Sequence, residues 1–246
     1  MYLVFLPMKT SNLKILAIDT ATEACSVSLN LGGTVSKQIE IAPNGHSKLV
    51  LGMVQSLLQQ ARLGLKQLDV LAVNVGPGSF TGLRIGIGVT QGLAYGAGLK
   101  VIPVGSLEVL AQAVPHQVVL AAIDARMQQI YYALYHKLPD GEQREIIQPG
   151  LIAPDRLVIK DQGEVVGTGS GWDSYAPVMT EAMQGTLLNW LPQQYPEAST
   201  LSTIAAARGL KNAISPLELT VCYIRNEIVN TPARVNQSAM GINQNL

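Results

Sequence analysis

Two apolar runs stop on an aspartate and turn through small residues: "LAIDTAT", with Asp19, and "AAIDARM", with Asp124. Turns of this kind gather backbone N–H groups, and gathered N–H groups can hold phosphate. The residues that could do so are Asp19, Thr20 and Thr22, with Gly167 and Gly169 of "GTGSG" as a second cradle. The competing reading is that Asp19 and Asp124 cap their turns by accepting backbone hydrogen bonds, and a lone glycine turn says little about nucleotide by itself. Nucleophilic chemistry has less to work with. Ser26, Ser79 and Ser106 have no histidine at a readable spacing, and Ser79 reads as the N-cap of the helix that follows it. His116 and His136 are isolated. No catalytic residue and no metal ligand set is expected from these spacings.

The elements that would position these residues form an α/β pattern. Strands are predicted at 14–19, 25–33 and 34–41, a helix at 46–63, a strand at 69–75, a glycine-rich helix at 79–97, a strand at 100–104 and a helix at 106–114. A second series opens at 118–136 with the same order of strand, aspartate, turn and strand. Residues 137–163 read as a loop-rich insertion. A strand then enters the glycine turn at 164–172, with helices near 173–184 and 200–211. The expected organisation is an extension at 1–13, with Met8 an alternative start, an N-terminal lobe at 14–115, a C-terminal lobe at 116–230 and a polar tail at 231–246.

Hydrophobic residues make up 48% of the 246 and charged ones 14%, which excludes a disordered chain. The net charge is zero and the 17 Lys and Arg are scattered, so unaided nucleic-acid binding is not expected. Two cysteines, Cys25 and Cys222, are too few for a disulfide framework. Neither a signal peptide nor a membrane span is legible, and a cytoplasmic location is expected.

The helix at 79–97 poses the main physical problem. Eight of the 23 residues in "GPGSFTGLRIGIGVTQGLAYGAG" are glycine, and each glycine inside a helix costs about 0.5–1 kcal/mol relative to alanine. On a helical wheel Gly78, Gly82, Gly86, Gly88, Gly92 and Gly96 share an arc of roughly 160°. That arc is expected to pack on the protein's own sheet. The other side carries Phe80, Leu83, Ile87, Ala94 and Gln91, and helix 46–63 carries Leu49, Val50, Met53 and Leu57 on a broad apolar arc. Two neighbouring helices with spare apolar surface point either to burial within the chain or to a bundle made with another polypeptide.

The segments "ILAIDTATEACSVSL", "HSKLVLGMV", "GPGSFTGLRIGIGVTQGLA" and "LAAIDARMQQIYYALY" resemble the TsaB (YeaZ) family of tRNA threonylcarbamoyladenosine biosynthesis proteins. The resemblance is dense from Lys14 to Tyr135 and thinner beyond, where "GTGSGW" and "YIRN" match. It implies an actin-like, Hsp70-like ATPase fold with two lobes of βββαβα type. It also implies a non-catalytic subunit that supports a TsaD-type paralogue, which transfers threonylcarbamoyl to N6 of the adenosine 3′ of the anticodon. A TsaE-type ATPase and tRNA would join through the complex. The partner surface would comprise His46, Leu49, Val50, Met53, Leu57, Phe80, Leu83, Arg84, Ile87 and Gln91, and a homodimer could use the same helices. No cofactor is expected to be held tightly, ATP or ADP being admitted only at the partner contact.

Departures from related patterns support the non-catalytic reading. The first turn has Ala21 where actin-like ATPases have a glycine that lets phosphate approach. The paralogue's metal-binding His-x-x-x-His is reduced to His46 followed by Val50. The family's peptidase label finds no support in these residues. The alternative is an autonomous ATPase or small-molecule kinase on the same fold.

Overall fold

A computed structural model describes residues 11–160, 162–183 and 185–225. The expected extension at 1–13 therefore lies almost wholly outside the described residues, and the tail at 231–246 lies entirely outside them. Two five-stranded sheets organise the rest. The first runs β3-β2-β1-β4-β5, from β1 (Lys14–Asp19), β2 (Ala24–Leu31), β3 (Thr34–Ile41), β4 (Val70–Asn74) and β5 (Val101–Val104). The second runs β10-β9-β6-β7-β8, from β6 (Val118–Asp124), β7 (Ile130–Lys137), β8 (Gln143–Ile152), β9 (Val165–Thr168) and β10 (Leu187–Leu191). Read from β8, the second order repeats the first. In each sheet the leading strand pairs antiparallel with the next strand and parallel with the fourth strand of its series. The twofold strand–Asp–turn–strand pattern in the sequence is thus a true structural repeat.

The central strands are apolar without interruption because helices cover both of their faces. Leu16 and Ile18 of β1 join Cys25, Val27 and Leu29 of β2 under α1 (His46–Gln60) and α2 (Phe80–Ala97). Ile15 and Ala17 face the opposite way, against Leu201, Ile204 and Ala205 of α5 (Ala198–Arg208). β2 shows how alternation encodes this. Its Ser26 and Ser28 point to the α5 side, where Ser26 Oγ accepts from the Ala198 amide at 2.9 Å and Ser28 Oγ donates to the Ala198 carbonyl at 2.6 Å. Ser26 is therefore a helix-seating residue.

The lobes exchange helices. α3 (Ser106–Ala113) follows the first series but packs Leu107, Leu110 and Ala111 on the second sheet. α4 (Ser170–Ala182) covers that sheet's other face through Trp172 and Met179. The late helix α5 returns to the first sheet, and Ile214 pairs with Val101 beyond it. The expected division at 115/116 is corrected accordingly, since α5 and the segment up to Leu219 belong to the first core. Where α3 and α5 meet, Arg208 donates to both carboxylate oxygens of Glu108, at 2.6 and 2.7 Å, and to the Pro103 carbonyl. The region 137–163 is likewise corrected: it contains β8, a ten-residue edge strand whose side chains are largely exposed. Its mixed, polar surface hid the strand from a pattern-based reading. Among the described residues, no helix is long and apolar enough to cross a membrane.

Candidate functional site

The turn after β1 is closed by its own helix. Asp19 is fully buried; its Oδ1 accepts from the Ala21 amide at 3.0 Å and its Oδ2 from Asn74 Nδ2 at 2.7 Å. Asn74 Oδ1 in turn accepts from the Gly76 amide and from Ser106 Oγ, at 2.9 and 2.7 Å. Burial pushes the Asp19 carboxyl up to about 7, against the lowering effect of the Asn74 and Ala21 hydrogen bonds. Asp19 is thus a turn cap sealed from solvent.

The start of α2 lies directly on this turn. Thr20 Oγ1 donates to the Gly82 carbonyl at 2.8 Å, and the Ser79 amide donates to the Ala21 carbonyl at 2.7 Å. A Cβ on Gly82 would stand 2.1 Å from the Thr20 carbonyl oxygen, and one on Gly78 would stand 2.2 Å from that of Ala21. On Gly86 it would meet Thr20 Oγ1 at 2.3 Å. Only glycine permits this approach. Ser79 caps α2 as expected, its Oγ accepting from the Gly82 amide.

The proposed second cradle also has a packing explanation. A Cβ on Gly167 would enter the Trp172 indole at 2.3 Å, and one on Gly169, whose φ is +99°, would meet the Ala122 carbonyl at 2.4 Å. Trp172 Nε1 donates to the Leu120 carbonyl beneath it. Of the five residues expected to face a nucleotide, only Thr22 lines the cleft between the lobes; Asp19, Thr20, Gly167 and Gly169 do not. The expectation of one phosphate-binding set is corrected: these residues hold elements together.

The cleft itself encloses about 740 Å³. Its first-lobe wall includes His46, Ser47, Ser79, Phe80 and Thr81, and its second-lobe wall Asp124, Arg126, Ser170 and Tyr131. Arg126 spans the two walls, 3.2 Å from Asp124 and 3.8 Å from Glu23. Arg225 donates to Gln129 Oε1 and to the Ala125 carbonyl, holding the β6–β7 turn. Among the described residues, no group of three or more His, Cys, Asp or Glu could hold a metal ion.

The outer helices are arranged differently from the expectation. Val50, Met53, Leu57 and Ile87 are buried in the first lobe's core with its sheet, and Leu83 is buried beside Gly76. They cannot form an outward apolar surface, and their placement on a partner face is corrected. Leu49 is half-buried, and Gln91 donates to the Pro216 and Leu219 carbonyls, fastening the later segment to α2. Phe80 and Arg84 do face outward; Phe80 is 65% exposed, with the Arg84 guanidinium 3.3 Å from its ring centroid. Arg84 also donates to the Tyr223 hydroxyl.

The outward arc that the wheel missed carries Gly88, Gly92, Gly96 and Tyr95 on α2, with Leu51, Gly52 and Gln55 on α1. A Cβ on any of these four glycines would meet nothing within 4 Å. An arc of roughly 160° spans almost half the helix, so it can straddle the boundary between core and solvent. The two glycine triplets fall on opposite sides of that boundary. The signal was available: Leu83, Ile87, Thr90 and Ala94 form the buried stripe, and Gly88 and Gly92 lie well away from it.

The repeated β-sheet unit and the cleft define a two-lobed α/β protein of actin-like ATPase topology in which the turn after β1 is occupied by the protein's own helix. Comparison narrows the class. Residues 30–215 match the family described as "TsaD: tRNA N6-adenosine threonylcarbamoyltransferase". Over 230 residues the chain is 38% identical to the tRNA threonylcarbamoyladenosine biosynthesis protein TsaB of Haemophilus influenzae, covering 88% of this chain and 95% of that protein. The TsaB of Escherichia coli is 39% identical over 227 residues, covering 88% and 96%. The solved structure of YeaZ from Pseudomonas aeruginosa superposes with a TM-score of 0.78 at 35% identity, covering 86% of this chain and 99% of that one. The chain belongs to the TsaB (YeaZ) family.

Proposed function

We propose that this protein serves tRNA threonylcarbamoyladenosine biosynthesis as a non-catalytic subunit that binds a TsaD-type paralogue through the outer faces of α1 and α2. One observation carries the partner role. Gly52, Gly88, Gly92 and Gly96 lie on helices whose outer sides have no neighbour among the described residues at those positions. Each costs about 0.8–1 kcal/mol relative to alanine in a helix interior, and nothing within the lobe offsets that cost. A helix from a second polypeptide lying across them would, because glycine allows backbones to approach closely. Phe80 and Tyr95, 65% and 72% exposed, supply apolar area beside the groove, and Arg84 supplies charge. The same surface accommodates a second copy of the chain when the paralogue is absent. The TsaE-type ATPase and tRNA join through the paralogue, with any ATP or ADP held at the contact.

The non-catalytic assignment rests on the closed first turn, against which Gly78 and Gly82 pack too tightly to admit even a Cβ, and on Val50 being a core residue. The experiment is co-purification with the paralogue followed by a threonylcarbamoyl-transfer assay. A Gly92→Gln variant should fold and lose the complex, and transfer activity should fall with it. If Gly92→Gln pairs normally, the groove is not the contact. If transfer by the paralogue is the same without this chain, the subunit role is wrong.

A further inference from the structure

We infer that residues 219–225 act as a strap tying the outer face of α2 to a strained turn of the second lobe, so that a change at either end alters closure of the interlobe cleft. The strap is anchored first in the first lobe. Leu219 is buried in that lobe's core, Gln91 of α2 donates to the Leu219 carbonyl, and the Cys222 amide donates to the Val75 carbonyl at 2.8 Å. Next, the Tyr223 hydroxyl accepts from Arg84, whose guanidinium lies on the exposed Phe80 ring. Two residues on, the strap reaches the second lobe. Arg225 donates to Gln129 Oε1 at 2.6 Å and to the Ala125 carbonyl at 3.3 Å, and its Nη1 stands 2.9 Å from Met127 Sδ.

The turn it reaches carries strain. Arg126, Met127 and Gln128 have φ of +61°, +53° and +58°. Residues with a Cβ adopt this left-handed form at a cost, and normally one at a time rather than three in succession. Such a run persists only where its surroundings hold it. Within the turn the Ala125 amide donates to the Gln129 carbonyl at 3.0 Å and the Gln129 amide to the Arg126 carbonyl at 3.1 Å. Arg225 holds it from outside, and that hold has its own cost, because Arg225 Nε is buried with no hydrogen-bond partner among the described residues. The position of the turn gives its relaxation a consequence. Arg126 reaches across the cleft to Glu23 of the first lobe, 3.8 Å away. By contrast α3 and α5, joined by Arg208 and Glu108, contribute nothing to the cleft lining. The lobes are therefore joined on one side and tied across the cleft on the other, and relaxing the turn withdraws Arg126 from Glu23 and opens the cleft. Control of the cleft by a partner seated on Phe80 and Arg84 rests on the function proposed above, whereas the strap itself requires only this chain.

The test is amide hydrogen exchange of the full-length chain alone, read by NMR at Ala125 and Gln129. A distance between the lobes is measured beside it, by electron–electron resonance of spin labels on Lys48→Cys and Val178→Cys. Both sites are exposed, and Cys222→Ser leaves only the buried Cys25 besides them. Arg225→Ala should speed exchange at both amides by roughly tenfold or more, the scale of one hydrogen bond to a charged group. It should also lengthen the distance, while the amides of β1 and β6 keep their rates. Tyr223→Phe, at the other end of the strap, should speed the same two amides by about fivefold, the scale of a neutral hydrogen bond. Adding Gln128→Gly to Arg225→Ala should restore slow exchange, because glycine adopts the left-handed form without strain. Unchanged turn amides, or an acceleration shared equally with β1 and β6, overturns the strap. An unchanged distance overturns its control of the cleft, and no recovery with Gln128→Gly overturns the strain argument. Should Arg225→Ala fail to fold, Gln129→Ala removes the acceptor instead of the donor and carries the same expectations. Pairing with the paralogue is scored separately by co-purification, so failure of the strap and failure of the partner role are told apart.

Discussion

Gly78, Gly82 and Gly86 stand on one side of α2 and its lead-in, and Gly88, Gly92 and Gly96 repeat their spacing on another. The first triplet is packed against the β1–β2 turn so closely that a single added carbon would lie 2.1–2.3 Å from Thr20 or Ala21. The second triplet faces open space. One pattern of small residues therefore answers two demands. The first is met inside the chain, where the helix must seat on a turn; the second has no answer among the described residues, and the proposed partner would supply it. Glycine spacing reports that a close approach is needed, not by whom.

The sharpest way to break the comparison is Gly82→Ala. The new Cβ meets a backbone carbonyl that cannot rotate away, and the expected loss is about 4 kcal/mol in chemical denaturation, at the exceptional end for a single substitution. A loss below about 1 kcal/mol would mean that the turn and helix are looser than drawn. The next effect belongs to the same turn. Asp19 is held at about 7 in the folded protein, above its ordinary value of 3.8, so the native state binds a proton that the unfolded chain has released. Stability from this group is full below the unfolded value, falls as pH rises through the interval and is lost above about 7. The drop is about 3 kcal/mol between pH 4 and 7, and Asp19→Asn should flatten it. Urea titrations of the two proteins at several pH values provide the check, and parallel profiles would contradict the burial argument.

The outer triplet should respond in the opposite direction. Gly88→Ala and Gly92→Ala are each expected to raise stability by up to about 1 kcal/mol, because a helix gains a better former and no atom is displaced. Calorimetry with a co-purification assay would show the isolated chain strengthened and its pairing weakened. By contrast, Leu83→Glu and Ile87→Glu place charge in the core, so their effect on pairing would be confounded by unfolding. That stabilising substitutions should harm association while core substitutions harm folding is what separates the two faces of α2.

Much of the frame was readable before any coordinates. "KILAID", "DVLAVNV" and "VVLAAID" are apolar runs of strand length, and the strands β1, β4 and β6 fall within or on them. The strand–Asp–turn–strand repeat reappears as two sheets of matching order. Ser79 was legible as a cap because its hydroxyl satisfies an amide three residues on. Less was legible where burial depends on distant chain. The alternation in β2 marks Ser26 and Ser28 as facing away from Cys25 and Val27, but not that α5, 170 residues later, starts on them. Gln91 gave no sign that it holds the carbonyls of Pro216 and Leu219.

Local pattern by itself determined the strands other than β8 and β10, the capped glycine helix and the twofold repeat, because periodicity and capping are properties of neighbouring residues. The tertiary structure alone decided which glycines are inside, which lobe α3 and α5 cover, and that the cleft wall is built from His46 and two helix starts. Each of those outcomes depends on which surfaces meet across long stretches of chain, and a helix with small residues over almost half its circumference has more than one way to turn.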